Sequence, residues 1–410
     1  MRYLVIGGGI TGTTAAEMIR QHDPEGVVTV ISDEPYPLYS RVMLSKPGFF
    51  TGAIPFEKVW LKKAAWYAEK KIELITGKSA VRLDPKENIV ELNDGAKVAF
   101  DKLLVAPGLC ARRWSVPGAD KRGIHYLRTL DDSKGVMEAI KTAKRAVVVG
   151  GGFIGFETCE ILREAGLEVT AAIREKYFWE PLLDEQSGRM IESALEKGGV
   201  RVIREAQVKE VLGKEAVEGV LFSDGTTLPC DVIVAGIGAF CAAVWVQQGG
   251  IEINRGVIAN KYLETNRPGV WAAGDACEFD DVVLGERAMN ASWLNAQMQG
   301  RTAGINMVGK QRTPYRLVSF VSAHGFGTVV SFVGNVAPIE GRRDIIRGSL
   351  ERGWLVRLAL RYNEIVGATI INRNQDIGAL TTLIEKDVDV SGMLDKLADP
   401  DVDLKSLLKP

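Results

Sequence analysis

The pattern of apolar and polar positions shows one unit twice. Residues 2–20 read RYLVIGGGITGTTAAEMIR, and residues 145–163 read RAVVVGGGFIGFETCEILR. Each copy begins with a short apolar run rich in β-branched residues, which predicts a buried strand. A glycine-rich turn and the spacing of a helix follow in both copies. The repeat therefore predicts two strand–turn–helix units of the kind that build parallel α/β sheets.

The turn in each unit carries three glycines in the spacing Gly-x-Gly-x-x-Gly. They are Gly7, Gly9 and Gly12 in the first copy and Gly150, Gly152 and Gly155 in the second. Glycine here permits a tight turn, lets a diphosphate approach bare backbone, and lets the helix pack closely on the strand. The helix N-terminus then offers free N–H groups to the diphosphate. A single copy is weak evidence, since a plain glycine-rich turn has the same spacing, but two copies in this context predict two bound dinucleotides.

An acidic residue about 20 residues after the glycines is the expected partner of the ribose hydroxyls. After the first motif, the next apolar run leads to Asp33, which lies 21 residues after Gly12. After the second motif, the corresponding run leads to Ile173 and then to Arg174. An arginine there accepts a 2′-phosphate, which favours NADPH, whereas Glu175 would reach a ribose if the strand ended later.

Three later segments complete a resemblance to a known family. The segment 103–108 (LLVAPG) and the segment 231–238 (DVIVAGIG) each have a buried-strand pattern, and the segment 265–275 (TNRPGVWAAGD) ends in Gly-Asp after an apolar strand. With the two glycine motifs, they resemble the two-dinucleotide flavoprotein reductases of the pyridine nucleotide–disulfide oxidoreductase superfamily. The resemblance covers roughly residues 1–310.

The resemblance implies FAD in the first site and NAD(P)H in the second. It implies that Asp275 binds the ribityl chain of FAD, and that Ala106, Gly238 and Gly274 contribute to the cofactor sites. Pro107 replaces the threonine that the family usually carries after this alanine.

Within the superfamily, the chain is most similar to the ferredoxin, rubredoxin and nitrite reductase type of flavoprotein. The segment PLYSRVMLSK resembles their Y-x-R-x-x-L-S-K segment, in which the arginine, here Arg41, meets an FAD phosphate and the lysine, here Lys46, lies beside the flavin ring. Glu157 matches the family's partner for that lysine. The segment SWLNAQMQG resembles their W-x-N-A helix, which begins here at Trp293 and points its positive end at the flavin pyrimidine.

The resemblance also implies a flavin domain split in sequence. Residues 1–112 and 244–312 are predicted to form the FAD-binding domain, with an NAD(P)-binding domain at 113–243 inserted between them. Residues 313–410 are predicted to form a small C-terminal α+β domain. The predicted fold class is thus α/β, with two Rossmann-like dinucleotide-binding domains plus this third domain. In the superfamily the third domain packs against the flavin or forms a dimer contact, so a homodimer is left open.

Composition and charge exclude several other classes of protein. The 410 residues carry 51 basic and 52 acidic side chains, so there is no net positive field to hold nucleic acid or an acidic membrane surface. The five cysteines form no C-x-x-C pair and the three histidines lie far apart, which argues against disulfides and a local metal site. The chain enters an apolar strand at once, and its longest apolar stretch, 232–246, is shorter than a membrane span. We therefore expect a cytoplasmic protein with no nucleic-acid, metal or membrane partner.

Two further features bear on electron transfer and packing. Residues 33–50, where disulfide reductases of the superfamily carry redox cysteines, contain no cysteine, so electrons are expected to leave the flavin directly. His324 is interpreted either as a proton donor near the flavin or as a solvated loop histidine. The amphipathic run 57–71 is interpreted as a packed surface helix in preference to a membrane-surface helix.

The predicted function is that of an FAD-dependent NAD(P)H oxidoreductase, with Lys46 and Glu157 as candidate catalytic residues. FAD and NAD(P)H are the expected cofactors. The expected acceptor is a small electron-carrier protein, such as a ferredoxin or rubredoxin, or a small molecule. One alternative is a part of an NAD(P)H nitrite reductase. It would be the electron-input part only, because the sequence has no Cys-rich segment for sirohaem or an iron–sulfur cluster. The other is a slow-turnover flavin-binding protein of redox signalling.

Overall fold

The computed structural model describes residues 1–310 and 312–408, which divide into two units. The first unit comprises Met1–Ser40, Glu57–Cys110 and Phe240–Phe320. The second comprises Arg41–Phe56, Ala111–Ala239 and the chain from Val321 onward. Gln311, Lys409 and Pro410, which belong to the predicted segments 244–312 and 313–410, lie outside the described residues. The division into three domains at the predicted boundaries stays a prediction.

Short apolar runs form most of the strands, and glycines or polar turns separate them. In chain order, the strands are β1 (Arg2–Ile6), β2 (Val27–Ile31), β3 (Ile72–Ile75), β4 (Ala80–Asp84), β5 (Ile89–Leu92), β6 (Lys97–Ala99), β7 (Lys102–Val105), β8 (Cys110–Ala111), β9 (Ile124–His125), β10 (Arg145–Val149), β11 (Glu168–Ala172), β12 (Val200–Ile203), β13 (Val208–Leu212), β14 (Gly219–Phe222), β15 (Thr227–Pro229), β16 (Val232–Ala235), β17 (Ala239–Phe240), β18 (Val257–Ala259), β19 (Val270–Ala272), β20 (Cys277–Asp281), β21 (Glu286–Ala288), β22 (Phe320–Gly325), β23 (Thr328–Gly334), β24 (Arg342–Ser349), β25 (Trp354–Arg361) and β26 (Glu364–Ile371).

The helices are fewer, and several are single turns. The α-helices are α1 (Ile10–His22), α2 (Pro47–Phe50), α3 (Ala64–Glu69), α4 (Leu130–Ala139), α5 (Phe153–Glu164), α6 (Glu185–Lys197), α7 (Val244–Gln247), α8 (Trp293–Val308), α9 (Ile377–Glu385) and α10 (Leu394–Ala398). Short 3-10 helices span Arg41–Ser45, Phe56–Val59, Gly274–Ala276, Asn374–Asp376, Ser391–Met393 and Leu404–Leu408.

A five-stranded parallel sheet lies at the centre of the first unit, in the order β19-β7-β1-β2-β3. Its register places Val5 of β1 opposite Val30 of β2 on one side and Leu104 of β7 on the other. These three side chains are completely buried. Because a parallel sheet is covered on both faces, its central strands are continuous apolar runs with no alternation.

Helices α1 and α8 of this unit pack through small residues. A Cβ added to Gly300 would lie 2.3 Å from the carbonyl oxygen of Thr11, and one added to Gly304 would lie 2.6 Å from the carbonyl oxygen of Ala15. The two backbones therefore approach closer than any side chain at these positions would permit. This close packing fixes the start of α8 relative to the turn that precedes α1.

The second unit repeats the same sheet topology. Its parallel sheet has the order β12-β11-β10-β16-β9. In both sheets the strand before the glycine turn is central, and the strand after the first helix is its neighbour. The sequence repeat is thus a repeat of structure, and both turns lie at the carboxyl edge of a parallel sheet.

The C-terminal part of the second unit is a five-stranded sheet in the order β22-β23-β26-β25-β24, with helix α9 packed against it. The pairings of β23 with β26, β26 with β25 and β25 with β24 are antiparallel. Phe332 and Leu355 of this sheet belong to the same apolar core as Phe156 and Leu162 of α5. The predicted fold class, α/β with two Rossmann-like domains and an α+β segment, is confirmed.

The interpretation of residues 57–71 as one helix is wrong. The run contains the end of the 3-10 helix Phe56–Val59 and the short helix α3. Between them, the N–H groups of Leu61 and Lys62 donate to the carbonyl oxygen of Leu38, which draws the backbone out of helical geometry. Within residues 1–310 and 312–408, no helix is long and apolar enough to cross a membrane.

Candidate functional site

Close backbone approaches shape the first glycine turn, which joins β1 to α1. Gly7 has φ +121°, and a Cβ added there would lie 2.0 Å from the carbonyl oxygen of Ala106. A Cβ added to Gly12 would lie 1.9 Å from the carbonyl oxygen of Gly7. An added Cβ on Gly9, by contrast, would have no heavy atom of the described residues within 4 Å. Packing therefore requires two of the glycines, and the third faces open space.

The N-terminus of α1 borders that open space. Gly9 is the N-cap residue, no side chain caps the helix, and the first turn carries no acidic residue. The positive end of the helix dipole is thus left for an anion. Asp33 lies exposed two residues after the end of β2, and its Oδ1 accepts the N–H of Glu34 at 3.1 Å. Gly8, in the turn, packs against Ser32, which precedes Asp33.

The predicted ribityl-binding segment, Gly274–Asp275, lies against the first glycine turn. Gly274 has φ +81°, and a Cβ added there would lie 2.4 Å from Oγ1 of Thr11. The N–H of Gly274 donates to Oε1 of Gln299 at 2.7 Å, and Gln299 is completely buried. Sequence reasoning missed Gln299 as a residue that fixes this segment. Its position in the segment SWLNAQMQG was the available signal.

Helix α8 begins at Trp293, which is half-buried. The Oγ of Ser292 caps the helix by accepting the N–H of Asn295 at 3.3 Å. Asn295 is itself buried, and its side chain bonds to the hydroxyl of Tyr315. These contacts hold the N-terminus of α8 in a fixed direction.

The second glycine turn has the geometry of the first. Gly150 has φ +112°, and a Cβ added there would lie 2.3 Å from the carbonyl oxygen of Gly236. A Cβ on Gly155 would lie 2.0 Å from the carbonyl oxygen of Gly150. Gly152, the equivalent of Gly9, again meets no heavy atom of the described residues within 4 Å. The same two packing requirements and the same opening occur in both turns.

The residues after β11 carry a neutralised carboxylate. Ile173 is completely buried. Arg174 has 82% of its side chain exposed, and its Nε contacts Oε1 of Glu175 at 2.7 Å. The guanidinium and the carboxylate thus compensate one another at the position where a dinucleotide ribose is expected.

Trp179 touches the second glycine turn and was not found by sequence reasoning. Its φ is +64°, a left-handed conformation that bulky residues rarely adopt. The backbone N–H of Trp179 donates to the carbonyl oxygen of Gly151 at 3.0 Å. Its ring packs at 5.1 Å from the ring of Phe153 and 6.0 Å from that of Phe332. A strained backbone beside a turn is typical of functional sites, and the aromatic run YFW was the only signal in the sequence.

The two candidate catalytic residues meet in the second unit. Nζ of Lys46 lies 2.6 Å from Oε1 of Glu157, although 111 residues separate them in sequence. Glu157 lies on α5 and is only 7% exposed, whereas Lys46 is the N-cap residue of α2. The ion pair therefore links the segment before α2 to the helix that follows the second glycine turn.

Two other predicted residues, Arg41 and Gly238, form hydrogen bonds within the second unit. Nη1 of Arg41 donates to the carbonyl oxygen of Arg128 at 2.8 Å. The carbonyl oxygen of Gly238 accepts the N–H of Arg112 at 2.9 Å. Each of the two units contains one glycine turn, and Arg41, Lys46, Glu157 and Arg174 all belong to the second unit.

His324 lies on β22, not in a loop, and its side chain is exposed. Its Nε2 is 3.3 Å from Oγ of Ser322. Burial and the positive charge of Lys46 hold the pKa of His324 below its usual value, and Glu157 opposes this effect. His324 thus lies within electrostatic range of the Lys46–Glu157 pair.

A polar cavity of about 580 Å³ opens beside the carboxyl end of β12 in the second unit. Side chains from the segment after β11, from α6 and from β12 line it: Lys176, Tyr177, Glu185, Arg189, Arg201, Val202, Ile203, Arg204 and Glu205. Sequence reasoning missed this cavity, because its residues are spread over 30 positions with no motif.

The cysteines are unpaired and mostly buried. Burial raises the pKa of the thiols of Cys159, Cys241 and Cys277 above the usual value, and it raises the pKa of Cys230 to about 12. Cys110 is exposed. Where the chain is described, no group of three or more His, Cys, Asp or Glu residues could hold a metal ion.

Both turns fit the diphosphate of a dinucleotide. At Gly9 and Gly152, backbone without a side chain borders open space and an uncapped helix N-terminus. A diphosphate needs this combination of bare N–H groups, room and positive dipole. FAD and NAD(P)H each contain one such group, so the chain offers one turn for each.

Comparison with known proteins agrees with this geometry. The family model "Pyridine nucleotide-disulphide oxidoreductase" matches residues 1–300, and the model "Reductase C-terminal" matches residues 325–408. The biphenyl dioxygenase system ferredoxin–NAD(+) reductase component of Paraburkholderia xenovorans (strain LB400) is 32% identical, over 99% of this chain and 98% of its own length. Nitrite reductase [NAD(P)H] of Bacillus subtilis (strain 168) is 30% identical over 95% of this chain, which spans only 48% of that relative.

Solved structures of similar fold span the whole chain. The crystal structure of the ferredoxin reductase for the CYP199A2 system from Rhodopseudomonas palustris has a TM-score of 0.91 and 27% identity, with both chains covered completely. The covalent putidaredoxin reductase–putidaredoxin complex has a TM-score of 0.92 and 25% identity, over 99% of this chain and 98% of that one.

Two glycine variants in the first turn distinguish the glycine that leaves room for the ligand from the glycine that packing requires. Gly9→Ala places a methyl group in open space, so we expect normal apoprotein stability but FAD affinity reduced at least tenfold. Gly12→Ala forces a Cβ onto the carbonyl oxygen of Gly7, so we expect a lower melting temperature as well. Fluorescence titration with FAD and thermal unfolding of the apoprotein measure the two effects. Wild-type FAD affinity in Gly9→Ala would contradict the assignment of this space to the cofactor.

Removal of one partner of the ion pair isolates the cost of a buried charge. Lys46→Met leaves the carboxylate of Glu157 buried without a counter-charge, so we expect the free energy of unfolding to fall by about 1–3 kcal/mol. The double variant Lys46→Met/Glu157→Gln removes both charges and is expected to recover most of this loss. Lys141→Met, which breaks an exposed pair with Glu138, is the control and is expected to change little. Chemical denaturation measures all three, and equal losses in Lys46→Met and Lys141→Met would contradict the prediction.

Proposed function

Because the chain belongs to the pyridine nucleotide-disulphide oxidoreductase family, we propose that it passes electrons from NAD(P)H through FAD to a ferredoxin-like protein. The membership predicted from the motifs is confirmed, since the family model covers residues 1–300. The chain is accordingly an NAD(P)H-dependent flavoprotein reductase, and FAD and NAD(P)H are its cofactors. The identity of the acceptor is the proposed part.

The observation that carries the proposal is the duplicated open glycine turn. Each turn combines two glycines that packing requires with a third, Gly9 or Gly152, that borders open space. One turn for each of two dinucleotides supports transfer between a nicotinamide and a flavin. The ferredoxin–NAD(+) reductase component that matches this chain along 98% of its own length supports a ferredoxin as the acceptor.

Bound FAD would supply the redox chemistry, namely acceptance of a hydride from the nicotinamide and delivery of the electrons to the acceptor. The residues of the chain bind and orient the two dinucleotides. Backbone N–H groups at Gly9 and Gly152, with the dipoles of the helices that follow, would hold the diphosphates. Asp33 would accept hydrogen bonds from ribose hydroxyls, and Asp275 would do so from the ribityl chain.

Lys46 would supply a positive charge beside the flavin ring, as the family resemblance implies. Glu157 accepts a hydrogen bond from the ammonium group of Lys46 at 2.6 Å. Because Glu157 is only 7% exposed, solvent screens the pair weakly. A cation held rigidly before the reaction stabilises negative charge more effectively than a mobile one. We therefore assign Glu157 a positioning role toward Lys46.

No thiol is needed in this scheme. A thiol that carried electrons would have to ionise, yet the pKa values of Cys159, Cys230, Cys241 and Cys277 are raised by burial. Cys110 is exposed and forms no disulfide with a described cysteine. Electrons would therefore pass from the cofactor to the acceptor without a covalent sulfur intermediate.

A second candidate function is the electron-input part of a nitrite reductase. The Bacillus subtilis nitrite reductase, 30% identical over 95% of this chain, favours it. The ferredoxin reductase component has similar identity but matches along nearly its whole length, which makes ferredoxin reduction the better supported proposal. A third candidate function is that of a slow-turnover signalling protein, which a turnover assay would distinguish from an efficient reductase.

Location and assembly follow as further parts of the proposal. Unpaired cysteines support a reducing compartment, and we propose the cytoplasm. The exposed apolar residues Ile346 and Leu350, in and next to the edge strand β24, support a contact between two copies of the chain.

The proposed function predicts a yellow protein with one FAD per chain. NADH or NADPH is expected to bleach the flavin band in anaerobic stopped-flow mixing. Steady-state reduction of cytochrome c is expected only when a [2Fe–2S] ferredoxin or a rubredoxin is added as carrier. Rapid bleaching without reduction of any carrier would contradict the proposal and favour the nitrite or signalling alternatives.

The thiol-free scheme predicts that cysteine replacement preserves turnover. A variant with Cys110, Cys159, Cys230, Cys241 and Cys277 replaced by serine or alanine is expected to keep the wild-type ratio of acceptor reduction to flavin reduction. Flavin content and both rates, measured on the same preparation, provide the test. If the variant binds FAD and is reduced by NAD(P)H but no longer reduces the acceptor, a thiol carries the electrons.

A further inference from the structure

The segment 173–184, which joins β11 to α6, braces the second glycine turn. The backbone N–H of Trp179 donates to the carbonyl oxygen of Gly151 at 3.0 Å, and the Trp179 ring packs at 5.1 Å from the ring of Phe153. Gly151 and Phe153 are the two neighbours in sequence of Gly152, the glycine that borders open space. Trp179 therefore contacts both residues that flank the position where a diphosphate is expected.

The backbone of Trp179 depends on other residues for its conformation. Its φ of +64° is one that bulky residues rarely adopt, and such a conformation persists only where surrounding contacts fix it. The N–H groups of Leu182 and Leu183 donate to the carbonyl oxygen of Trp179 at 2.7 Å and 3.0 Å. A tight turn thus connects Trp179 to Leu182, so a contact that holds Leu182 also holds Trp179.

A buried arginine of the C-terminal sheet provides that contact. Arg357 lies on β25 and is 5% exposed. Its Nη2 donates to the carbonyl oxygen of Leu182 at 2.8 Å and to that of Val336, just after β23, at 3.2 Å. One guanidinium nitrogen therefore joins the segment 173–184 to the C-terminal sheet. Because a buried charge is stable only with its hydrogen-bond partners, the side chain is held in this position.

Two carboxylates compensate the charge of Arg357. Its Nη1 lies 3.7 Å from Oδ2 of Asp344 on β24 and 3.9 Å from Oδ2 of Asp184. Asp184 is the N-cap residue of α6, and its Oδ1 accepts the N–H of Ser187 at 2.9 Å. Arg357 thus meets the segment 173–184 at two points, the carbonyl group of Leu182 and the carboxylate at which α6 begins.

An aromatic contact accompanies these polar ones. Phe332 lies on β23 and is buried. Its ring is 6.0 Å from that of Trp179 and 5.5 Å from that of Phe153. Aromatic pairs at such distances stabilise a packed arrangement beyond the burial of their surface. The C-terminal sheet therefore contacts the bracing tryptophan and also the first residue of α5.

We propose that Arg357 is a positioning residue for the nicotinamide dinucleotide. Through Leu182 and Trp179, it holds the backbone on both sides of Gly152 in the conformation that receives the diphosphate. The inference rests on the proposed function, because that function assigns the second turn to NAD(P)H. A site that is ordered before binding spares the ligand the cost of ordering it, so loss of Arg357 weakens binding and leaves the chemistry of the bound complex unchanged.

Dinucleotide binding without turnover tests the role of Arg357. Calorimetric titration of the FAD-loaded protein with NAD⁺ and with NADP⁺ measures the affinity of each. Arg357→Met is expected to weaken both about tenfold, because the diphosphate is common to both. In anaerobic stopped-flow mixing, the concentration of NADH or NADPH that gives half the maximal rate of flavin reduction is expected to rise by the same factor. The limiting rate and the FAD content are expected to stay at wild-type values.

A second buried arginine of the same sheet is the matched control. Arg347 lies on β24 opposite Val356, the neighbour of Arg357, so the two arginines face opposite sides of the sheet. Arg347 is 1% exposed, and its Nη2 donates to the carbonyl oxygen of Val402 at 2.6 Å. Arg347→Met is expected to lower the melting temperature but to keep wild-type affinity for NAD⁺ and NADP⁺. Equal losses of affinity in the two variants would show general damage to the sheet and overturn the inference.

Amide hydrogen exchange, measured by mass spectrometry without nucleotide, reports on the segment 173–184 directly. Its peptides are expected to exchange about fivefold faster in Arg357→Met and at the wild-type rate in Arg347→Met. Unchanged exchange in Arg357→Met would overturn the inference. If Arg357→Met does not fold, Arg357→Lys takes its place, because lysine keeps the charge but not the planar group that meets two carbonyls and two carboxylates. An affinity loss of about threefold is then expected, and wild-type affinity would overturn the inference.

The inference and the proposed function fail in different ways. If neither NADH nor NADPH reduces the flavin, the proposed function is wrong, whatever the exchange rates of the segment are. If NADH or NADPH reduces the flavin and Arg357→Met binds NAD⁺ and NADP⁺ as the wild type does, the function stands and only the role of Arg357 is wrong.

Discussion

The contact between a glycine and a neighbouring strand is the constraint on which both nucleotide sites depend. At Gly7 the carbonyl oxygen of Ala106, and at Gly150 that of Gly236, occupies the place where a side chain would begin. The chain must turn there with positive φ, and the helix must start directly over the sheet edge. The open position two residues later, at Gly9 or Gly152, exists because this turn is so tight. Binding space is thus a consequence of backbone packing.

The Lys46–Glu157 pair shows a second use of burial. A carboxylate that is 7% exposed binds its lysine strongly because solvent screens it little, but it would destabilise the fold if left alone. The segment before α2 is therefore held to α5 by the same charge that the reaction is proposed to use. His324 and its lowered pKa belong to this electrostatic neighbourhood. Buried thiols take no part in it, because burial suppresses their ionisation.

Much of the fold follows from local features of the sequence. Apolar runs, glycine spacing and the internal repeat predicted the two parallel sheets, because strand burial and turn geometry depend on residues close in sequence. The same features predicted both glycine turns, Asp33 and the Arg174 position. The run 57–71 shows the limit of this reasoning. Its periodicity is helical, yet hydrogen bonds to Leu38, remote in sequence, interrupt the helix.

The sequence by itself therefore determined the two sheets, the turns that open onto them and the absence of a cysteine between residues 33 and 50. Only the tertiary structure decided which charges compensate one another. The burial of Gln299 behind Gly274 and the contact of Trp179 with Gly151 arise between elements far apart in the chain, and Arg204, which follows β12, reaches Glu192 on α6. Electrostatic and packing energies depend on distance in space, and sequence spacing carries no record of that distance once the chain has turned.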